Sequence, residues 1–177
     1  MNFKEGNQQF DFDDGTWVVL KYDEETAFRE RIGKLQETKG VDFIGIHDRN
    51  IYLMEVKDFR NHRIENQYRL LNEELPIEIG QKVRDTLAGI IGAYRTSDPN
   101  KWEVFAKTLT TASKVIRVVV WLEYDLPAHK TARAKVKASV DTNIYKKRLN
   151  WLTSQVLVTS QVNNNIPNLR VSNLPHP

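Results

Sequence analysis

Hydrophobic positions early in the chain change their period. Thr16 to Tyr22 (TWVVLKY) is β-branched and aromatic, which predicts a strand. From Asp23 to about Glu37 the spacing becomes helical: Phe28, Ile32 and Leu35 share one face, Asp23 stands where an N-cap belongs, and Gly40 closes the segment. Two apolar runs follow, Val41 to Ile46 and Asn50 to Lys57, and the short connection His47-Asp48-Arg49 predicts a hairpin. In the second run Ile51 and Leu53 alternate with Tyr52, Met54 and Val56, so both faces call for apolar cover, as in a strand lying mid-sheet between helices.

A polar, irregular stretch over about 58–76 separates the hairpin from a helix at Ile79 to Tyr94, where Val83, Leu87, Ile90, Ile91 and Tyr94 form the inner face and Pro76 marks the approach. A shorter helix is expected at Trp102 to Leu109, then a strong, central strand at Val115 to Leu122. Residues 129–151 carry helical spacing, in one piece or in two broken near Ser139 to Asp141, and Gln155 to Thr159 is a last strand. The order, (β)αββαβαβ, predicts an α/β sandwich. No linker or repeat divides it, so the expectation is a single domain over 1–177, with its core at about 16–160 and an irregular Asn- and Pro-containing tail at 161–177.

Composition narrows the chemistry. At 177 residues, 40% hydrophobic and 28% charged, the chain can bury a core without staples, and its lack of cysteine excludes disulfides, thiolate zinc sites and cysteine nucleophiles. The four histidines, His47, His62, His129 and His176, have no zinc-ligand spacing. The acidic N-terminal stretch has no signal-peptide core and no apolar run approaches the ~20 residues of a membrane span, so no membrane role and a cytoplasmic location are expected. Charge is uneven: residues 1–78 hold 11 Lys/Arg against 17 Asp/Glu, whereas residues 79–177 hold 15 against 6. The second part would attract a polyanion, or is simply a solvated basic face. Lys130, Arg133 and Lys137, followed by Lys146-Lys147-Arg148, could track a phosphate backbone without reading bases. Trp121 and Trp151 fall in periodic apolar patterns and are expected in the core.

The hairpin carries the candidate chemistry. Asp42 opens its first strand and Glu55-x-Lys57 closes its second, so the turn brings all three to one sheet edge, with Glu55 and Lys57 on the same face. Two carboxylates there would seat Mg²⁺ or Mn²⁺, a hard ion that neutralises charge on a phosphate and lowers the pKa of bound water. Lys57 would hold the nucleophile and stabilise developing negative charge.

The segment Gly40-Val41-Asp42-Phe43-Ile44 … Tyr52-Leu53-Met54-Glu55-Val56-Lys57 resembles the PD-(D/E)xK nuclease superfamily of restriction endonuclease-like and Holliday junction resolvase-like proteins, over roughly residues 22–124. The resemblance implies a restriction endonuclease-like sandwich, a central mixed sheet flanked by helices, and metal-dependent hydrolysis of DNA. It assigns metal binding to Asp42, Glu55 and the Val56 carbonyl, and activation of water to Lys57. A helix carboxylate is often added, for which Glu25 is preferred over Glu24 and Glu30. Polar groups opening the helix after the active strand, here Gln81, Lys82 and Arg84, often lie near the phosphate. Two departures stand out: Val41 replaces the usual Pro, and only Thr38 to Gly40 separate the expected helix from the hairpin where a core strand belongs, a place the strand at Trp17 to Tyr22 could fill. Two other functions compete: a silent nuclease fold that binds nucleic acid or serves assembly, and a protein-interaction domain without a nucleic-acid role. A single-site enzyme would cut both strands as a homodimer, although no sequence feature signals a dimer.

Overall fold

The computed structural model describes residues 1–60, 74–124 and 142–175. An N-terminal hairpin, β1 (Asn2–Glu5) and β2 (Gln8–Phe12), leads to β3 (Trp17–Lys21), a short helix α1 (Thr26–Arg29), and the paired strands β4 (Phe43–His47) and β5 (Asn50–Asp58). Next come α2 (Glu74–Thr96), α3 (Pro99–Thr110), β6 (Ile116–Glu123), a helix α4 over 142–149, β7 (Val156–Thr159) and β8 (Leu169–Asn173). Five strands form a mixed sheet in the order β3-β4-β5-β6-β7, antiparallel across the first three and parallel across the last three. Alternation on β5 sorts its neighbours. Ile51 and Leu53 join Val118, Val120, Ile79, Val83 and Ile90 in a core between sheet and helices. Tyr52, Met54 and Val56 face the other way, with Phe10, Phe12, Trp121 and Leu169.

That second core corrects the expectation of helices on both faces. The opposite layer is a second, antiparallel sheet in the order β1-β2-β8. Its inward residues Phe10 and Phe12 are buried, and Phe10 stacks on Phe43 and Trp121 at centroid distances of 5.3 Å. The molecule is therefore α/β with a mixed five-stranded sheet, covered by helices on one face and by strands on the other. A buried polar knot ties the layers: the Glu123 carboxylate accepts bonds from Gln8 Nε2 (3.1 Å), Trp121 Nε1 (2.8 Å) and the Gln161 backbone N–H (2.7 Å).

Three further expectations are corrected. The long helix from Asp23 to Glu37 is instead α1 flanked by single turns at Tyr22–Glu24 and Ile32–Lys34. Tyr22 N–H donates to the Asp42 carbonyl at 2.8 Å, so the connection must return to its starting point, whereas a helix of fifteen residues would carry the chain about 22 Å away. The face predicted for it is also not buried as one stripe, since Leu35 is 64% exposed. The tail is not wholly irregular: β8 pairs with β2, and Ile166 and Leu169 are buried. Trp151, expected in the core, lies in the turn after α4 and is 56% exposed, because Leu149 and Leu152 take the inward positions of that turn. The helical pattern over 129–141 lies outside the described residues. Among the described residues, no helix is long and apolar enough to cross a membrane.

Candidate active site

At one end of the large sheet, the exit of β3, the entry of β4 and the exit of β5 converge. Asp42 immediately precedes β4 and is held from three sides. Its backbone carbonyl accepts the Tyr22 N–H, its Oδ2 accepts the Val56 N–H at 2.6 Å, and the Val41 N–H beside it donates to Thr86 Oγ1 of α2 at 3.0 Å. Asp85, one residue before Thr86, accepts the Lys39 N–H at 3.2 Å. One turn of α2 thus fixes the approach to Asp42.

Glu55 and Lys57 project from β5 toward the helical layer, the side on which Ile51 and Leu53 pack. Opposite them α2 presents Glu78 and Lys82, spaced i, i+4 on one helix face. Lys82 Nζ donates to Glu55 Oε1 at 2.6 Å and lies 3.9 Å from Asp42 Oδ1. Lys57 Nζ lies 3.0 Å from the same Glu55 oxygen and 3.3 Å from Glu78 Oε1. Glu55 is 1% exposed, and its other oxygen, Oε2, is buried with no hydrogen-bond partner among the described residues. On the far side of Asp42, carboxylate oxygens of Glu5, Asp23 and Asp42 lie within 4.8 Å of one another. Lys21 Nζ pairs with Glu5 at 3.0 Å.

Burial and like charge shape the protonation of this group. Removal from water, then the Glu55 carboxylate, push Asp42 up to about 8 against the opposing pull of Lys82 and the Val56 N–H. Asp23 is also raised, by burial first and by Glu5 next. Burial alone would lower Lys57, but Glu55 and Glu78 outweigh it and raise it, so its ammonium form is favoured. Lys21 reaches about 12 because bonds to Glu24 and Glu5 outweigh its burial. Five carboxyl groups, Glu5, Asp23, Asp42, Glu55 and Glu78, thus lie among three ammonium groups, Lys21, Lys57 and Lys82, and Asp42 keeps its proton up to about pH 8.

These donors fit a hard divalent cation. They are oxygen ligands, carboxyl groups outnumber ammonium groups among them, and a buried Glu55 oxygen lacks a partner among the described residues. Of the residues expected at the site, Asp42, Glu55 and Lys57 come together, Val56 contacts Asp42 through its N–H, and Lys82 joins them. Glu25 does not belong to the acidic group: its Oε2 accepts from Lys101 Nζ of α3 at 2.6 Å, and the carboxylates beside Asp42 are Glu5 and Asp23. Arg84 points away, 64% exposed and paired with Asp85. Lys130, Arg133 and Lys137 lie outside the described residues. Sequence reading missed Glu5, Asp23 and Glu78. Asp23 had been given the role of a helix cap, and Glu5 could have been found through Gly6-Asn7, a two-residue turn between alternating segments.

No family model matches the chain, and no solved structure matches it. An 89-residue stretch, 49% of the chain, is 28% identical to a cysteine-tRNA ligase of Neisseria meningitidis serogroup A. The matched stretch spans 13% of the length of that ligase.

Proposed function

We propose that this chain is a metal-dependent nuclease of the PD-(D/E)xK kind, hydrolysing DNA phosphodiester bonds, and that its mixed sheet is the restriction endonuclease-like core. The observation that carries the reading is the meeting of Asp42, Glu55 and Lys57 at one sheet end, with a Glu55 oxygen buried and unpartnered among the described residues. Further support comes from β3, which pairs antiparallel with β4 as the first core strand of such a fold would. The chain departs from the pattern in drawing its extra carboxylates from β1 and the turn after β3 rather than from a helix.

Asp42, Glu55 and the Val56 carbonyl would hold Mg²⁺ or Mn²⁺, which supplies Lewis-acid activation of water and neutralisation of phosphate charge. The chain's own groups do the rest. Glu78 and Glu55 hold the Lys57 ammonium in its charged form, so that it orients a water through one N–H and meets negative charge developing on phosphate oxygens with another. Lys82 balances the Glu55 charge within the α2–β5 contact. Thr86 and Asp85 keep the strand entry, and with it the Asp42 carboxylate, in register.

A second reading, a silent nuclease fold that binds nucleic acid or serves assembly, draws on Lys82. An ammonium 2.6 Å from Glu55 already supplies the positive charge that a metal would bring. One experiment separates the two readings. Supercoiled, linear and single-stranded DNA are incubated with Mg²⁺, Mn²⁺ or EDTA, using wild type beside Lys57→Ala. Because one similar protein is named as a tRNA ligase, tRNA belongs in the same substrate panel. Metal-dependent cutting that disappears in Lys57→Ala supports the nuclease. Absence of cutting with retained, metal-indifferent binding moves the assignment to the silent subunit.

A further inference from the structure

Three of the four tryptophans are buried: Trp17, Trp102 and Trp121 are each 2% exposed or less. Trp151 is 56% exposed. Single exposed apolar residues are ordinary on protein surfaces, so exposure alone decides nothing. Its setting is what matters. The turn that carries Trp151 is fixed on both sides: the Leu152 and Thr153 N–H groups donate to the Leu149 carbonyl at 2.9 Å, Thr153 Oγ1 donates to the Ile116 carbonyl at 2.8 Å, and Leu149 is fully buried. An indole is thus presented to solvent by a rigid segment.

The surroundings are basic. Lys146, Lys147 and Arg148 follow one another, exposed, on α4, just before the turn that carries Trp151. This surface also adjoins α2. Gly80 lies on α2 between Glu78 and Lys82, and a methyl group placed on it would come within 4.0 Å of the Arg148 carbonyl oxygen. The end of α4 therefore packs against the Gly80 side of α2, the face opposite to the one that carries Glu78 and Lys82.

We infer that Trp151 and the exposed lysines of α4 form a docking platform for nucleic acid with unpaired bases, the indole stacking on one base while Lys146 and Lys147 take the flanking phosphates. An exposed indole offers a π face, and a base offers a matching one only when it is not already stacked within a duplex. The adjacent Lys146, Lys147 and Arg148 suit a polyanion. The inference rests on the nuclease reading and deepens it by naming single-stranded or locally unpaired substrate. The platform itself rests on α4 and Trp151 alone.

The buried state of the other tryptophans provides the assay. With EDTA present to prevent cleavage, quenching of intrinsic fluorescence reports chiefly on Trp151. Oligothymidylate should quench saturably, with an affinity that falls steeply with salt, and a blunt duplex of the same length should bind roughly tenfold more weakly. Followed instead by the anisotropy of a dye-labelled oligothymidylate, Trp151→Ala should weaken binding by about tenfold or more at an unchanged melting temperature, while Trp151→Phe keeps most of it. Lys146→Ala together with Lys147→Ala should weaken binding and flatten its salt dependence. Equal affinity in Trp151→Ala, equal quenching by the blunt duplex, or Trp151 emission that is shielded by a second copy of the chain as concentration rises would each overturn the inference. Cleavage without quenching would remove this platform and leave the nuclease standing. Quenching without cleavage would do the reverse.

Discussion

Replacing Asp42 by Asn tests whether the buried carboxylate is kept at the expense of stability. Asp42 is 6% exposed and stands against Glu55, which together push its pKa from 3.8 to about 8. The folded protein therefore holds a proton there that the unfolded chain gives up once pH passes about 4. For a carboxyl raised in this way, the associated stability is complete below the unfolded pKa and is lost as pH climbs toward the folded one. Each unit of separation is worth about 1.4 kcal/mol, so at pH 7 the loss is on the order of 4 kcal/mol, and it stops growing above about pH 8. Asn has nearly the same shape, its side-chain oxygen can still accept the Val56 N–H, and it ionises in neither state. Urea unfolding in EDTA at pH 4.5 and at pH 8 should therefore show Asp42→Asn close to wild type at the lower pH and several kcal/mol more stable at the higher. The same variant should lose the rise in melting temperature that wild type shows on adding Mn²⁺. A gain that does not depend on pH, or a loss of stability at pH 8, would refute the account of Asp42 as a desolvated group held in place for its chemistry.

Metal binding must displace the Asp42 proton, so Mn²⁺ affinity followed by calorimetry should rise with pH up to about 8 and level off above it, with proton uptake by the buffer that disappears in Asp42→Asn. Lys82→Met removes an ammonium held 2.6 Å from a buried oxygen while Lys57 remains, which should cost the metal-free protein roughly 2–3 kcal/mol in urea unfolding and tighten Mn²⁺ binding; unchanged affinity would show that Lys82 does not compete for the site. Gly89 of α2 rests against the buried Tyr22 ring, and a Cβ there would overlap the Tyr22 hydroxyl, whereas nothing lies within 4 Å of a Cβ on Gly92. Gly89→Ala should then lower the melting temperature sharply, while Gly92→Ala should stabilise by about 0.5–1 kcal/mol through helix propensity.

Where sequence reading succeeded, one kind of signal was responsible. The β4–β5 hairpin, β6 and α2 bury continuous or cleanly periodic apolar faces, and their limits match those expected from sequence to within two residues, except that α2 begins at Glu74 rather than Ile79, inside the stretch expected to be irregular. The hairpin geometry that joins Asp42 to Glu55 and Lys57 follows from that register alone, whereas Lys82 was reached only through the resemblance. The failures were of another kind. Phe28, Ile32 and Leu35 have helical spacing, but the requirement that Tyr22 and Asp42 sit side by side is a tertiary constraint that no local window contains. Gln8, Phe10 and Phe12 alternate as a strand should, yet the buried member of the pattern at position 8 is an amide, satisfied by Glu123 and Trp121 more than a hundred residues away. Trp151 was misplaced because an apolar pattern records which residues could be buried, not which neighbours take the room first.

The position of β2 governs when this molecule can be finished. One edge of β2 pairs with β1, its immediate predecessor, and the other waits for Leu169–Asn173. Synthesis runs from N to C, so the first half of that ladder emerges well over a hundred residues before the second. Until then β1 and β2 form a two-stranded ribbon, which is marginal in water, and the closing pairing bears the entropy of a loop spanning most of the chain. Glu5 is the last residue of β1 and belongs to the carboxylate group around Asp42. The acidic centre therefore has a built-in order of assembly: Asp42, Glu55 and Lys57 can meet once the large sheet has formed, while Glu5 takes its fixed place only after the closing strand has docked.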